Sequence, residues 1–226
     1  SKGKIVEKFL HFFNTKTGRL SSKFHTINRE YIRNNIISRF DNGKIISVDY
    51  SCFEINILFF LCSLNTENDV YLNIAHELNL KRDYVKNNII SWLYGSQDYD
   101  KIVILLFNRK YSKIDEFIVY RKEFISKNEY TCLSGKKIVY EDELAAQKKY
   151  LNGEIQNFST IKFNDMIRDI ISNIETSKLE SKLIGTKYDQ FFIDLKQSEE
   201  ETIKEIIKNS SKIKDSFFPF KLTTIG

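Results

Sequence analysis

The stretch SVDYSCFEINILFFL, Ser47 to Leu61, sets two acids, Asp49 and Glu54, inside an otherwise apolar run. An unpaired carboxylate in apolar surroundings is costly or must hold a proton, so both acids require a task. Just upstream, GKIISVDY is rich in β-branched residues and follows an Asn-Gly turn signal, so 44–49 reads as a buried strand. From Ser51 to Ser63 the pattern becomes helical, with Ser51 as the expected N-cap. One acid therefore ends a strand and the other opens a helix, and the rest of the chain has to explain that junction.

Working outward, KIVEKFLHFF (4–13) reads as the end of a helix, followed by a polar, Gly-containing turn in NTKTGRLSS. Helices are expected over 67–77, 81–93, 98–108 and 113–127. EYTCLSGKKIVY (129–140) reads as a hairpin around a Ser-Gly turn. A helical stretch over 141–175, with a break expected at Asn152 and Gly153, leads to a second hairpin, KLIGTKYDQFFIDL, with Lys187, Tyr188 and Asp189 near its tip. A helix over 197–210 and a strand in FPFKLTTIG follow. No internal repeat, linker or low-complexity segment interrupts the pattern, which predicts an α+β fold with a small, largely antiparallel sheet.

Bulk properties narrow the classes. The 226 residues make one large domain or two small ones, and 42% hydrophobic content is ample for a core, which excludes a disordered chain. A net charge of +5 permits a polyanionic partner without demanding one. Cys52, Cys62 and Cys132 have no CxxC or Cys/His spacing, which argues against structural zinc and disulfides and for a cytoplasmic or other reducing, intracellular compartment. The longest apolar run, Ile57 to Cys62, is too short to span a bilayer and no signal-peptide pattern opens the chain, so a soluble protein without a membrane partner is expected.

Two carboxylates on separate β-elements, Asp49 at a strand end and Asp189 on a hairpin, can hold two divalent cations side by side, because Mg²⁺ favours carboxylate oxygens on a rigid support. A strand-end Asp alone is more often a turn former or a cap. In RDYVKNNIISWLYGS, helical spacing places Arg82, Lys86, Ile90 and Tyr94 along one face. Two cations, a flat apolar patch and an aromatic hydroxyl suit a triphosphate gripped by Arg and Lys with a base pair against the far end. A solvated basic face beside a core-facing Ile and Tyr would carry the same pattern.

Together, in order, these motifs resemble the palm and fingers of family-A DNA polymerases, the class of bacterial DNA polymerase I. SVDYSCFEINIL is similar to the family's first catalytic motif, DYSQIELR, at Asp49, Tyr50, Ser51 and Glu54. RDYVKNNIISWLYG is similar to its fingers helix at Arg82, Lys86, Tyr94 and Gly95. KYDQFFIDL is similar to the third motif, His-Asp-Glu at a hairpin tip, at Asp189. TGRLSS, with Arg19, and NGEIQ, with Asn152 and Gln156, resemble segments that contact primer-template, and FPFKLTTIG resembles the terminal strand. The chain departs from the family at Tyr188 and Gln190, which flank the third-motif Asp, and at Ile90, Cys52 and Asn56.

The resemblance implies a palm whose first part spans 1–64, including the end of a thumb-like helix, fingers over 65–128 and a second palm part over 129–226. It implies a template-directed DNA polymerase that adds dNTPs to a primer 3′-hydroxyl with two Mg²⁺ ions. Asp49, Asp189 and the Tyr50 backbone would hold metal, with Asp49, Asp189 and Lys86 as the catalytic set. Arg82, Lys86, Ile90, Tyr94, Tyr50 and Ser51 would bind the incoming nucleotide, with Glu54 crowding the sugar 2′ position. Arg19, Asn152, Gln156, Tyr188 and Gly95 would meet DNA. No exonuclease or full thumb fits before residue 17, so a second protein chain or an upstream region is expected to complete the grip on primer-template. The alternatives are a polymerase-like nucleic-acid-binding or structural subunit that has lost catalysis, a single-subunit RNA polymerase, which Glu54 and its DYS context oppose, and an α+β domain with chance matches, which the joint order opposes.

Overall fold

A computed structural model of the protein describes residues 16–17, 31 and 35–225. The helix end expected over 4–13 and Arg19 lie outside the described residues. Strand β1 (Lys44–Tyr50) leads into helices α1 (Phe53–Leu61), α2 (Val70–Leu78), α3 (Arg82–Leu93), α4 (Lys101–Lys110) and α5 (Lys113–Lys122). A meander of β2 (Ile125–Ser126), β3 (Glu129–Thr131) and β4 (Lys137–Val139) precedes the long α6 (Glu143–Thr176). The hairpin β5 (Lys182–Lys187) and β6 (Gln190–Leu195) is followed by a 3-10 turn (Gln197–Glu199) and α7 (Glu200–Ser210). The short pair β7 (Lys212–Ile213) and β8 (Ser216–Phe217) and the strand β9 (Phe220–Ile225) come last. The α+β class with small antiparallel sheets is the one expected.

Several local features differ from the sequence reading, among them the helix expected over 98–108, which runs Lys101–Lys110, and the one expected from 197, which opens as a 3-10 turn. Ser51 is not the N-cap of α1; Cys52 is, in a left-handed conformation (φ 50, ψ 39) with no side-chain cap bond. The reason is that β1 keeps pairing as far as Tyr50, opposite Phe220, and the Ser51 N–H is then spent on the Pro219 carbonyl at 2.8 Å. The helix expected from 67 starts at Val70, because the Asp69 carboxylate caps it by accepting from the Leu72 N–H at 3.1 Å. The helix expected to reach 127 stops at Lys122, since Ile125 and Ser126 join β3 instead. The break expected at Asn152 and Gly153 is absent and α6 runs through. A Cβ at Gly153 would collide with the Tyr140 hydroxyl, so this glycine serves close packing within a continuous helix.

The chain divides into two compact units. The first, 1–51 with 160–226, is built on an antiparallel sheet in the order β5-β6-β1-β9. Register partners share a face, so Val48, Tyr50, Phe191 and Phe220 point one way and Ser47, Asp49, Gln190 and Phe192 the other. The Tyr50 ring packs on the first face against Phe163 of α6, Phe191 and Phe220, at centroid distances of 6.2, 6.3 and 6.1 Å. On the second face Ile45, Phe192 and Ile225 form a buried cluster with Ile36 against it. There the buried Asp194 accepts from the Ser38 hydroxyl at 2.6 Å and pairs with Arg39.

The second unit, 52–159, is mainly helical. Phe59, Phe107 and Tyr111 stack at its centre, the Phe59 and Tyr111 rings 4.5 Å apart. Asn56 makes a two-way amide link with the Glu67 backbone, donating at 2.9 Å and accepting at 2.8 Å, which fixes the loop ahead of α2 on α1. Arg121 on α5 is buried with Glu154 on α6, 2.8 Å apart. The Tyr130 hydroxyl and the Leu133 N–H also donate to Glu154, and Arg121 donates to the Thr131 carbonyl at 2.7 Å. A buried ion pair so fully hydrogen-bonded ties α5, the β3–β4 turn and α6 together. No helix among the described residues is long and apolar enough to cross a membrane.

Candidate active site

In the first unit, Asp49 lies opposite Gln190 in the β1–β6 pairing, and the Tyr50 N–H donates to the Asp189 carbonyl at 3.4 Å. The β5–β6 turn is only Tyr188 and Asp189, because Lys187 and Gln190 already pair. Tyr188 takes the left-handed conformation that a tight hairpin demands of its first loop residue (φ 58), and its ring is exposed. Strand pairing thus brings Asp49 and Asp189 to the same end of adjacent strands, one residue apart in register. Two hard carboxylates on a fixed support suit a divalent cation of the Mg²⁺ type. No group of three or more His, Cys, Asp or Glu side chains forms a fuller cage among the described residues, so carbonyls, water or a phosphate must complete any coordination shell.

Tyr50 is an anchor. Its ring is buried and its hydroxyl is shared with Ser211 at 3.0 Å. Burial pushes the phenol up to about 12 against the opposing pull of the Ser211 bond, so the side chain stays neutral. The Tyr50 and Ser51 N–H groups donate to the Asp189 and Pro219 carbonyls; a metal contact from this backbone would come from a carbonyl oxygen, since a hard cation takes oxygen lone pairs. Gln190 donates its amide to the Ser47 hydroxyl, while its Oε1 is buried without a hydrogen-bond partner among the described residues. Across the same face the pairing sets Lys187, Gln190, Asp49 and Lys221 in one row.

In the second unit, α3 turns Val85, Ile89 and Leu93 into the core and leaves Arg82, Lys86 and Ile90 half-buried on another face. Arg82 is held by Asp69, the cap of α2, through Nε at 2.7 Å, and by Asp83 at 3.3 Å, with its guanidinium over the Tyr71 ring. The hydrogen bond that Arg82 donates to Asp69 leads the effects that raise its pKa further, so the charge is permanent. Tyr94 forms the C-cap of α3, and its hydroxyl donates to Glu54 in the first turn of α1 at 3.0 Å. Gly95 follows with φ 77, and a Cβ there would run into the Lys148 carbonyl, so the fold itself requires glycine at this position. Asn152 and Gln156 lie four apart on α6, and Asn152 Oδ1 is buried without a hydrogen-bond partner among the described residues.

Sequence reasoning left three participants without a role: Asp69, Ser211 and Lys187. Asp69 was visible as an acid just before an apolar helical pattern, the signature of a cap. Lys187 was visible only as a neighbour of Asp189, because its burial at 7% exposure depends on how the hairpin packs. Nothing local marks Ser211 as the partner of Tyr50.

No protein-family model and no curated protein matches the chain. Among solved structures the chain is similar to the POL domain of Pol1 from M. smegmatis in complex with DNA primer-template and dNTP, with a TM-score of 0.78 and 15% identity. The match covers 100% of this chain and 48% of that one, so the chain spans about half the length of this relative. The likeness shows the fold, a polymerase palm-and-fingers-like α+β architecture.

Proposed function

We propose that the chain is a template-directed DNA polymerase of the family-A type, with palm over 1–64 and 129–226 and fingers over 65–128, adding dNTPs to a primer 3′-hydroxyl. The observation that carries this is the pairing that sets Asp49 and Asp189 at one end of adjacent strands, where two carboxylates on a rigid support suit divalent cations. Asp49, Asp189 and the Tyr50 carbonyl would hold two Mg²⁺ ions, and these would supply activation of the 3′-hydroxyl and neutralisation of charge on the transferring phosphate.

The remaining roles fall to the chain's own groups. Arg82 and Lys86 would bind the β- and γ-phosphates, Arg82 by exchanging Asp69 for a phosphate, and Lys86 would protonate the departing pyrophosphate. Tyr94 and Ile90 border the nascent base pair. Glu54, fixed by Tyr94, crowds a 2′-hydroxyl. Gln156, Asn152 and Tyr188 contact DNA.

A primer-extension assay with Mg²⁺ and all four dNTPs tests the proposal, which requires template-dependent elongation. A second reading, a nucleic-acid-binding subunit without catalysis, is favoured by Gln190 standing where the family carries Glu. Duplex binding without extension would select it.

A further inference from the structure

Lys187 is among the few buried charged residues, at 7% exposure, and it is the last residue of β5 before the turn that carries Asp189. It pairs with Gln190, and Gln190 pairs with Asp49, so the three side chains share one sheet face at the end where the candidate metal ligands lie. Two strand spacings separate Lys187 from Asp49, about 10 Å between Cα atoms, a span that a four-carbon ammonium stem and a carboxylate can largely close. On the other side of Asp49, in the same row, stands Lys221. Gln190, between Lys187 and Asp49, is neutral, with its amide fixed on Ser47. The row therefore contains one acid and two lysines where a metal site gains most from added negative charge.

We propose that Lys187 is a fixed cation of the Asp49–Asp189 cluster. Its ammonium balances the carboxylates when metal is absent and lowers the affinity of the pair for divalent ions. This deepens the polymerase reading, on which it rests for the identity of the ligands. A buried ammonium is tolerated only beside compensating negative charge, and by register Asp49 and Asp189 are the acids at this end of the sheet. Lys187 is a positioning residue here: it acts on the metal-binding acids rather than on substrate. The folded site would then be assembled before metal arrives, and divalent ions would bind weakly until a nucleotide triphosphate brings further oxygens.

The test measures Mn²⁺ binding to the intact chain by electron paramagnetic resonance, without nucleotide or DNA, in the native protein and in K187M, K187R, D49N and D189N. Removing one positive charge at this range is expected to tighten Mn²⁺ binding about tenfold in K187M, with K187R close to the native protein. Thermal unfolding in EDTA adds an independent readout: K187M loses melting temperature relative to K187R, and Mn²⁺ restores it. Equal Mn²⁺ affinity in K187M and the native protein, with D49N still abolishing binding, overturns the role of Lys187 and leaves the metal pair standing. Mn²⁺ binding indifferent to both D49N and D189N overturns the pair itself, and the proposal with it.

Discussion

The Tyr94 hydroxyl donates a 3.0 Å hydrogen bond to the Glu54 carboxylate, joining the C-cap of α3 to the first turn of α1. A bond to an ionised acceptor is among the stronger kinds, so the position of Glu54 depends on α3 as well as on its own helix. If Glu54 crowds the sugar, Glu54→Ala should reduce the preference for dNTP over rNTP about tenfold, the worth of one modest steric discrimination. Tyr94→Phe should produce a smaller reduction and Ile90→Phe an increase. Single-nucleotide incorporation kinetics give these ratios, and an unchanged ratio in Glu54→Ala would remove the gate role.

Asp49→Asn and Asp189→Asn should each abolish primer extension while duplex binding, followed by gel shift, stays within about twofold. Metal-holding acids act on chemistry, whereas phosphate contacts dominate affinity for the duplex. An active double variant would refute the assignment.

Asp69 both caps α2 and holds Arg82. Asp69→Ala should cost about 1–2 kcal/mol in urea unfolding through the lost cap, and Asp69→Asn much less. The same Asp69→Asn change should tighten dNTP binding, because Arg82 no longer leaves an anionic partner, while Arg82→Ala should weaken it at least about tenfold. Opposite directions at two residues in contact separate competition for Arg82 from general damage.

Glu154→Gln should be strongly destabilising. It strands the buried Arg121 without its counter-charge, and breaking such a pair typically costs about 3–5 kcal/mol. Urea titrations followed by circular dichroism would measure it, and a loss below about 1 kcal/mol would mean that water reaches the pair.

The buried thiols of Cys62 and Cys132 are pushed up to about 12, in both cases chiefly by desolvation and at Cys132 also by the Glu154 carboxylate. An unfolded thiol titrates near about 8.5, so the folded state keeps protons that the unfolded state releases. The contribution is complete below that value and is lost as pH rises toward the folded values. The urea midpoint should therefore fall between about pH 8 and pH 10, and a Cys62→Ala, Cys132→Ala variant should flatten the decline.

Much of the fold was legible because its signals are local. The β-branched run before Asp49, the period of α3 and the Tyr-Asp hairpin each carry their own pattern. The start of α1 was not legible, because pairing of Tyr50 with Phe220 and the Ser51–Pro219 bond decide it from the far end of the chain. Gly153 misled for a related reason: glycine signals either a break or a close approach, and only the Tyr140 side chain tells which. At the candidate site, residue types and spacing pointed to Asp49, Asp189, Arg82 and Tyr94. The clamp of Asp69 on Arg82 and the burial of Lys187 are tertiary facts without a sequence period.

The sheet order also governs how this chain must fold. Strand β1 is flanked by β6 and β9, both of which come after the whole of the second unit in sequence. During synthesis β1 emerges early, with both edges unpaired, and waits while the helical unit forms from largely nearby contacts. Long-range pairing of this kind is slow, and an apolar strand with open edges invites pairing with other chains. A ribosome-bound chain halted just before β5 should therefore hold a protected second unit beside an exposed KIISV segment, the point at which a chaperone would matter most.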